Sequence, residues 1–284
     1  MGHLKYSRKD FEFWQFYQEE MGTIDVPSFI DFIIEKTGVD KVSYVGHSEG
    51  TTQMFMGLSS MPEYFKEKVN VFAAMAPPVF IRSITDPRTV AEATHWPLLM
   101  DVFEKFKLYN FIKLPNSQWQ EGLVAACDLI PSICQLLERG SQFLIPDVDN
   151  MQRAKVMLAN FPSGAGYRTT IYYGQCVANG GHFRKFDYGK DANMAIYGQI
   201  TPPDFPVEDI DMPIAIFNGS LDSVVLEADV DYLIEKLGDN VVYHKVIQGD
   251  HWTFTMAKDM SWYQNDLVNV LQKYNPTVPE EFLQ

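Results

Sequence analysis

The sequence predicts an α/β fold in which a mostly parallel sheet is interrupted by a long helical insertion. Short apolar runs at 41–45 and 69–75 have the length and composition of buried strands. Strand signals return at 214–217 and 241–247, on either side of a helical pattern at 230–237. Strands and helices that alternate along a chain favour parallel pairing, because a parallel connection needs a crossover that a helix can supply.

The elements of the first half follow a helix, strand, turn and helix order. Apolar residues recur at helical spacing within 26–36, and Gly38 follows at the position of a helix stop; they are Phe29, Ile30, Ile33 and Ile34. The strand at 41–45 then runs through a glycine-flanked turn into a helical stretch at about 49–58. The strand at 69–75 closes with Ala76-Pro77-Pro78, which suits the carboxyl edge of a parallel sheet.

These elements divide the chain into three predicted parts. Residues 1–80 form the first part of the core. Residues 81–205 have an irregular helical pattern and many aromatic residues, and we expect them to form a helical cap or lid rather than sheet. Residues 206–284 return to strand signals and complete the core, with a last helix predicted at 258–274.

Composition excludes several broad classes of protein. Of 284 residues, 46% are apolar and 21% are charged, which is typical of a globular chain with a sizeable core. The formal net charge of -14 argues against nucleic-acid binding, because no basic stripe is available to displace counterions from phosphates. No run approaches the ~18 apolar residues of a membrane helix. Three cysteines and no metal-ligand spacing predict neither a disulfide scaffold nor a metal or organic cofactor.

The motif Gly46-His47-Ser48-Glu49-Gly50 lies between a predicted strand and a predicted helix. Gly-x-Ser-x-Gly in this context is typical of a nucleophile elbow, a strained turn that projects the serine hydroxyl above the edge of a sheet. Small flanking residues make room for the turn. We therefore predict an α/β-hydrolase with Ser48 as nucleophile, and with the backbone N–H of Glu49 as one donor to the oxyanion.

A serine nucleophile needs a base to take its proton and a carboxylate to orient that base. In this fold the chain order is serine, acid, histidine, with the acid after a late strand and the histidine after the last one. Asp222 follows the third predicted strand, and His251 follows the fourth. We predict these two as the acid and the base. Glu227 and Asp229 remain weaker rivals to Asp222.

The other histidines stand in less suitable places. His3 precedes the elbow, and His244 lies within a predicted strand. His95 and His182 fall in the insertion. His47 adjoins the nucleophile, but we expect the strained turn to point its ring elsewhere.

Short segments spread over nearly the whole chain share one known pattern: Phe13-Trp14-Gln15-Phe16, Glu20-Met21, Tyr44-Val45-Gly46-His47-Ser48-Glu49-Gly50-Thr51, Phe186-Asp187-Tyr188-Gly189, Pro202-Pro203, Pro213-Ile214-Ala215, Asn218-Gly219 with Asp222, and Tyr243-His244-Lys245 ahead of His251. Together they resemble the acid lipase family, which includes gastric and lysosomal acid lipases. The resemblance implies a serine ester hydrolase that acts on triacylglycerols or cholesteryl esters. It also implies a cap and lid over the site and transient contact with a lipid surface.

The chain departs from that family pattern in three places. Glu49 stands where the family usually has glutamine, which places a carboxylate close to a developing negative charge. Thr253 and Phe254 stand where the family has an acidic residue shortly after the histidine. The family also carries residues ahead of the position equivalent to Met1, including the signal peptide, the first strands and the loop with the second oxyanion donor.

The third departure leaves two explanations, a fragment or a short paralogue without those strands. We expect weakened activity for the chain alone and an unpaired sheet edge beside the first predicted strand. We also expect either poor solubility of the chain alone or a protein partner that covers this edge. A catalytically impaired paralogue that serves as a structural subunit or binding module is the alternative function, and a thioesterase is a third. The resemblance implies a lysosomal or secreted protein, whereas a chain complete as given is expected in the cytoplasm.

Overall fold

The structure is a computed structural model that describes residues 3–84, 87–111, 145–160 and 164–275. Contacts divide the chain into two compact units. The core unit consists of Gln18–Phe80 and Phe205–Gln284, and the insertion unit consists of Met1–Tyr17 and Ile81–Asp204. No described helix is both long enough and apolar enough to cross a membrane.

A parallel sheet lies at the centre of the core unit. Its strands are, in chain order, β1 (Val42–His47), β2 (Val69–Met75), β3 (Ile214–Gly219) and β4 (Val241–Ile247). Each strand pairs in parallel with the next, so the spatial order equals the chain order and β1 is an edge strand of the described sheet. The predicted α/β-hydrolase fold with a mostly parallel sheet is confirmed, and the four strands lie within two residues of their predicted bounds.

Helices connect these strands. The helices of the core unit are α1 (Val26–Thr37), α2 (Glu49–Ser60), α3 (Pro62–Lys68), α4 (Glu227–Leu237) and α5 (Val268–Tyr274), with shorter helical segments at Gln18–Glu20, Met21–Asp25, Val207–Asp209, Gly238–Asn240, Thr253–Met256 and Trp262–Leu267. Helix α1 ends at Gly38, whose φ of 73° is the left-handed conformation that glycine adopts without strain. The helix therefore ends at the position that the sequence predicts.

The two central strands are buried on both faces. Ile214, Ala215 and Ile216 are consecutive in β3 and fully buried, and Phe72 and Ala73 in β2 are buried in the same way. Because successive side chains of a strand point to opposite faces, both sides of the sheet are covered at these positions. Continuous apolar runs, rather than alternating ones, are the sequence pattern that such strands produce.

Helix α1 buries a narrower stripe than its sequence suggests. Val26 and Ile30, one turn apart, are buried, with 6% and 3% of their surface exposed. Phe29 and Ile33 form the neighbouring row and are 68% and 44% exposed. The helix therefore forms where apolar spacing predicts it, but only one row of its apolar side faces the described core.

The last helix begins later than predicted. Its expected start at residue 258 is replaced by a turn in which the side chain of Asp259 accepts the N–H of Ser261 over 2.8 Å. A π-helical turn, Trp262–Leu267, then leads into α5. Trp262, Leu267 and Val270 are buried on one side, as the helical spacing predicts.

The described residues of the insertion unit are mainly helical. Its helices are Pro87–Ala93, Trp96–Lys105, Ala154–Asn160, Tyr167–Ala178 and Lys190–Tyr197, its short 3-10 helices are Phe11–Trp14 and Met151–Arg153, and a two-stranded antiparallel ribbon pairs Asn110–Phe111 with Ala165–Gly166. Of the cysteines, Cys176 is a buried free thiol, and burial raises its pKa to about 12. Cys127 and Cys134 lie outside the described residues, as do Trp119 and Phe143, two of the aromatic residues in the predicted cap at 81–205.

By their contacts, the first seventeen residues group with the insertion unit. The predicted boundary of 1–80 for the first part of the core stays a prediction. Trp14 packs in one apolar cluster with Tyr109 and Tyr167. The ring of Tyr17 lies 5.2 Å from that of Phe186, within the range of favourable aromatic pairs. These contacts join sequence positions more than ninety residues apart, which local patterns do not report. The assignment of residues 81–205 as a cap stays a prediction.

Candidate active site

Ser48 lies in the sharp turn between β1 and α2. Its φ and ψ of 52° and -121° place a non-glycine residue in a strained backbone conformation, as a nucleophile elbow requires. Its N–H donates to the carbonyl oxygen of Met75 on the neighbouring strand over 2.9 Å. Its carbonyl oxygen accepts the hydroxyl of Thr51 over 2.6 Å. Hydrogen bonds of both its N–H and its carbonyl oxygen therefore fix the conformation of this turn at the carboxyl edge of the sheet.

The two glycines of the motif have different steric surroundings. A Cβ at Gly46 would meet the backbone carbon and oxygen of Gly50 and the ring of Tyr44 at 3.0 Å, closer than ordinary contact. A Cβ at Gly50 would meet only the hydroxyl of Tyr44, at 3.9 Å. Gly46 is therefore needed for the close approach of strand and helix, whereas Gly50 has room for a side chain.

The acid predicted from chain order lies in the turn after β3. Asp222 is 5% exposed. Its Oδ1 accepts the N–H groups of Val224 and Val225, each over 2.8 Å. These bonds occupy one oxygen, fix the plane of the carboxylate and leave Oδ2 for another partner.

His251 lies in the turn after β4 and connects the acid to the serine. Its Nδ1 is 2.9 Å from Oδ2 of Asp222, and its Nε2 is 2.6 Å from Oγ of Ser48. Because a carboxylate accepts, Nδ1 carries the hydrogen and Nε2 presents a lone pair to the serine hydroxyl. The structure thus brings the three predicted side chains into one hydrogen-bonded chain.

The rival residues lie elsewhere. Glu227 and Asp229 are in the first turn of α4, and the carboxylate that contacts the ring of His251 is that of Asp222. His244 is bonded through Nε2 to Oδ1 of Asn218, over 2.7 Å, on the sheet. This arrangement follows the chain order from which the acid and base were predicted.

His47 has a role that sequence reasoning missed. We expected its ring to point elsewhere, yet its Nε2 lies 2.8 Å from the backbone oxygen of His251, and the two rings are 5.0 Å apart. A carbonyl oxygen only accepts, so Nε2 of His47 carries a hydrogen. Burial, with a smaller contribution from the nearby ring of His251, lowers the pKa of His47 to about 4. A neutral imidazole therefore supports the backbone of the predicted base.

Glu49 begins α2 directly after the serine. The first N–H groups of a helix have no carbonyl partner one turn earlier, so the backbone N–H of Glu49 is suited to donate a hydrogen bond to an anionic ligand. Its side chain is held by the amides of Gln18, at 3.2 Å, and Gln53, at 3.4 Å. Burial raises the pKa of the Glu49 carboxyl, and these two hydrogen bonds partly offset the shift.

Within the described ranges, no group of three or more His, Cys, Asp or Glu side chains could hold a metal ion. The prediction that the chemistry needs no metal or cofactor stays a prediction. What the arrangement offers chemically is a hydroxyl bonded to a base, a base bonded to a carboxylate, and a helix amino terminus beside the hydroxyl. Such a set can activate an oxygen nucleophile and stabilise the anion that forms when it attacks a carbonyl.

Comparison with known proteins finds lipases. The chain is 33% identical to human lipase member K over 279 residues, covering 96% of this chain and 68% of that protein. It is 35% identical to gastric triacylglycerol lipase of Bos taurus over 264 residues, covering 90% of this chain and 64% of that protein. It is 30% identical to lysosomal acid lipase/cholesteryl ester hydrolase of Macaca fascicularis, covering 96% of this chain and 68% of that protein.

These alignments have one shared feature besides identity. The chain spans about two thirds of the length of the curated relatives that it matches. No protein-family model matches the sequence.

Proposed function

Because this chain belongs to the acid lipase family, whose members are carboxylic ester hydrolases, we propose that it hydrolyses lipid esters with Ser48, His251 and Asp222 as a catalytic triad. One observation carries the proposal. Ser48 Oγ, the two ring nitrogens of His251 and Oδ2 of Asp222 form a continuous chain of contacts of 2.6 and 2.9 Å. These are the distances over which a proton moves between a nucleophile and its base.

In the proposed acylation step, Oγ of Ser48 attacks the ester carbonyl carbon while Nε2 of His251 takes the hydroxyl proton. The carbonyl electrons move to oxygen, and the N–H of Glu49 donates to that oxyanion. When the tetrahedral intermediate collapses, the bond to the alcohol oxygen breaks and Nε2 returns its proton to the departing alcohol. The acyl group stays on Ser48 as an ester.

Deacylation repeats these steps with water. Nε2 of His251 takes a proton from water, the resulting hydroxide attacks the acyl-serine carbonyl, and the carboxylic acid leaves as Oγ of Ser48 regains its proton. Throughout, Asp222 keeps the hydrogen on Nδ1 and stabilises the imidazolium that forms. Its Oδ1 is held by two backbone N–H groups, so the carboxylate keeps its orientation during the reaction.

Triacylglycerols and cholesteryl esters are the substrates that we propose. The printed names of two relatives, gastric triacylglycerol lipase and lysosomal acid lipase/cholesteryl ester hydrolase, support this class. The aromatic-rich sequence of the insertion is compatible with long acyl chains, because such chains bind to predominantly apolar and aromatic surfaces.

Release of fatty acid from emulsified triolein and cholesteryl oleate tests the proposal. We expect Ser48→Ala and His251→Ala each to lower turnover by at least about 10³-fold, because triad residues act as one unit. Ser60→Ala, a change of the same kind at the exposed end of α2, is the matched control and should keep full activity.

Activity that survives Ser48→Ala would contradict the proposal. No hydrolysis of either ester by the folded native protein would instead favour the alternative, a catalytically impaired paralogue that acts as a structural subunit or binding module.

A further inference from the structure

Asp250 is a second buried carboxylate beside the proposed triad, and the mechanism above does not use it. It lies directly before His251 and is 5% exposed. Its Oδ1 accepts the N–H of His251 over 2.6 Å and the N–H of Ser223 over 3.2 Å. Ser223 directly follows Asp222. One carboxylate oxygen therefore bonds to the backbone of the proposed base and to the backbone next to the proposed acid.

We infer that Asp250 is a positioning residue for the proposed reaction, because its carboxylate ties the loop that carries Asp222 to the loop that carries His251. The tie fixes the distance and angle between acid and base. Its effect on turnover rests on the proposed function, whereas its effect on the contact between His251 and Asp222 is a property of the fold alone.

The two loops already run side by side as they leave the sheet. The N–H of Ser220 donates to the oxygen of Ile247 over 2.9 Å, and the N–H of Leu221 donates to the oxygen of Gly249 over 3.0 Å. The approach is close, since a Cβ at Gly219 would lie 2.4 Å from the oxygen of Gly249. These backbone bonds stop short of the triad residues. Asp250 continues the connection to the point where Asp222 and His251 meet.

Asp250 is itself held in place. Its backbone N–H donates to Oγ1 of Thr253 over 2.9 Å, and the N–H of Thr253 returns to the carbonyl oxygen of Asp250 over 3.1 Å. These two bonds fix the backbone of Asp250, and its side chain extends from this fixed backbone to the N–H of Ser223. A buried carboxylate that bonds to N–H groups of both loops can keep the two loops in a fixed relative position.

Loss of this tie has a specific consequence. The ring of His251 must satisfy two short contacts at once, 2.9 Å to Asp222 and 2.6 Å to Ser48. Without the carboxylate, the buried N–H of His251 and the part-buried N–H of Ser223 lose their common acceptor, and the side-chain link between the two loops is lost. A misplacement of about 1 Å in such a geometry can cost up to about 10²-fold in rate.

The test uses Asp250→Ala, Asp250→Asn and Asp250→Ser. Active sites are titrated with a fluorophosphonate, so that unfolded protein does not enter kcat, and KM and the pH profile are measured with a soluble nitrophenyl ester. The asparagine keeps an oxygen in the place of Oδ1 and can accept both N–H groups. The serine hydroxyl can still bond within its own loop but ends one bond short of Ser223. Asp231→Ala, an exposed change on α4, is the matched control.

We expect Asp250→Ala to lower kcat per titrated site by about 10- to 100-fold with little change in KM, because ring placement and not binding is impaired. The acidic limb of its pH–rate profile should move to lower pH, because a displaced His251 ring is stabilised less by Asp222 when it is protonated. Asp250→Asn should stay within about threefold of the native rate, because the acceptor is kept. If Asp250→Ala does not fold, Asp250→Ser should have the same defect.

A merely structural role would leave kcat per site and the acidic limb unchanged in the alanine and serine variants, and that result would overturn the inference. Equal losses in the asparagine and alanine variants would overturn it too, because the acceptor geometry would then be irrelevant.

A proton NMR measurement separates this inference from the proposed function. The hydrogen of His251 Nδ1, identified by its absence in His251→Ala, should resonate far downfield in the native protein and shift or disappear in Asp250→Ala. This readout needs no substrate. An inactive native protein with this spectral change would retain the positioning role and reject the hydrolase, whereas an unchanged resonance would reject the positioning role.

Discussion

The ring of His47 donates a hydrogen bond to the backbone oxygen of His251 over 2.8 Å, so the residue before the proposed nucleophile supports the proposed base. The two residues are 204 positions apart in the chain. The bond joins the elbow after β1 to the loop after β4. It places a second imidazole beside the proposed base.

The low pKa of His47 predicts a pH-dependent stability. An unfolded histidine takes up a proton near pH 6.5, whereas burial lowers the folded pKa to about 4. The contribution of His47 to the free energy of unfolding is therefore fully present above pH 6.5. It is lost as the pH falls toward 4, because the unfolded state binds the proton first. In His47→Gln, which does not titrate, the free energy of unfolding should fall less between pH 7 and 4. Urea titrations measure this, and an equal fall in both proteins would contradict it.

Glu49 predicts a pH dependence of opposite sign. Burial raises the folded pKa above the ordinary value of 4.5, so its ionisation opposes folding. The contribution of Glu49 to the free energy of unfolding is fully present below pH 4.5, and it is lost as the pH rises through the raised pKa. Glu49→Gln should therefore melt at a higher temperature than the native protein at pH 7, and the difference should shrink at pH 4. Glu63→Gln, on the exposed side of α3, is the control that should not have this pattern.

The two glycines of the elbow should differ on substitution. In Gly46→Ala, a new Cβ at 3.0 Å from the backbone of Gly50 should lower the free energy of unfolding by about 1–3 kcal/mol and reduce activity. In Gly50→Ala, where the nearest atom is 3.9 Å away, the change should raise it by up to about 1 kcal/mol, because alanine favours a helix. Thermal melts and esterase assays decide. If Gly50→Ala lowered the free energy of unfolding more than Gly46→Ala, the close contact between Gly46 and the backbone of Gly50 would be contradicted.

The choice of acid can be tested directly. Asp222→Asn should keep the fold and slow ester turnover by roughly 10²- to 10⁴-fold, because the imidazole then favours the wrong tautomer and loses its charge partner. Asp229→Asn changes another buried carboxyl of the core unit and should change turnover little. Equal losses of kcat in the two variants would contradict the assignment of Asp222 as the acid.

The sequence predicts the sheet and the meeting of three side chains because both depend on order along the chain. Carboxyl ends of parallel strands gather at one edge, so residues that follow β1, β3 and β4 are brought together whatever the details. Asp222 and His251 could be chosen on that ground. The motif around Ser48 adds the turn that exposes the hydroxyl.

Contacts set by side-chain orientation were beyond reach of the sequence. The contact of Gln18 with Glu49, like that of His47 with His251, depends on how loops pack after the sheet has formed. The grouping of Tyr17 with Phe186 depends on stacking between distant segments. Periodicity reports which face of an element is apolar, but it does not report which distant residue that face meets.

The most direct test of the central claim is to find the residue that a fluorophosphonate modifies. The reagent forms a phosphonyl ester with an activated serine, and peptide mass mapping locates the adduct. We predict one adduct per chain, on the peptide that contains Ser48, and no adduct in Ser48→Ala or His251→Ala. An adduct on another serine, or none on the folded native protein, would contradict the triad.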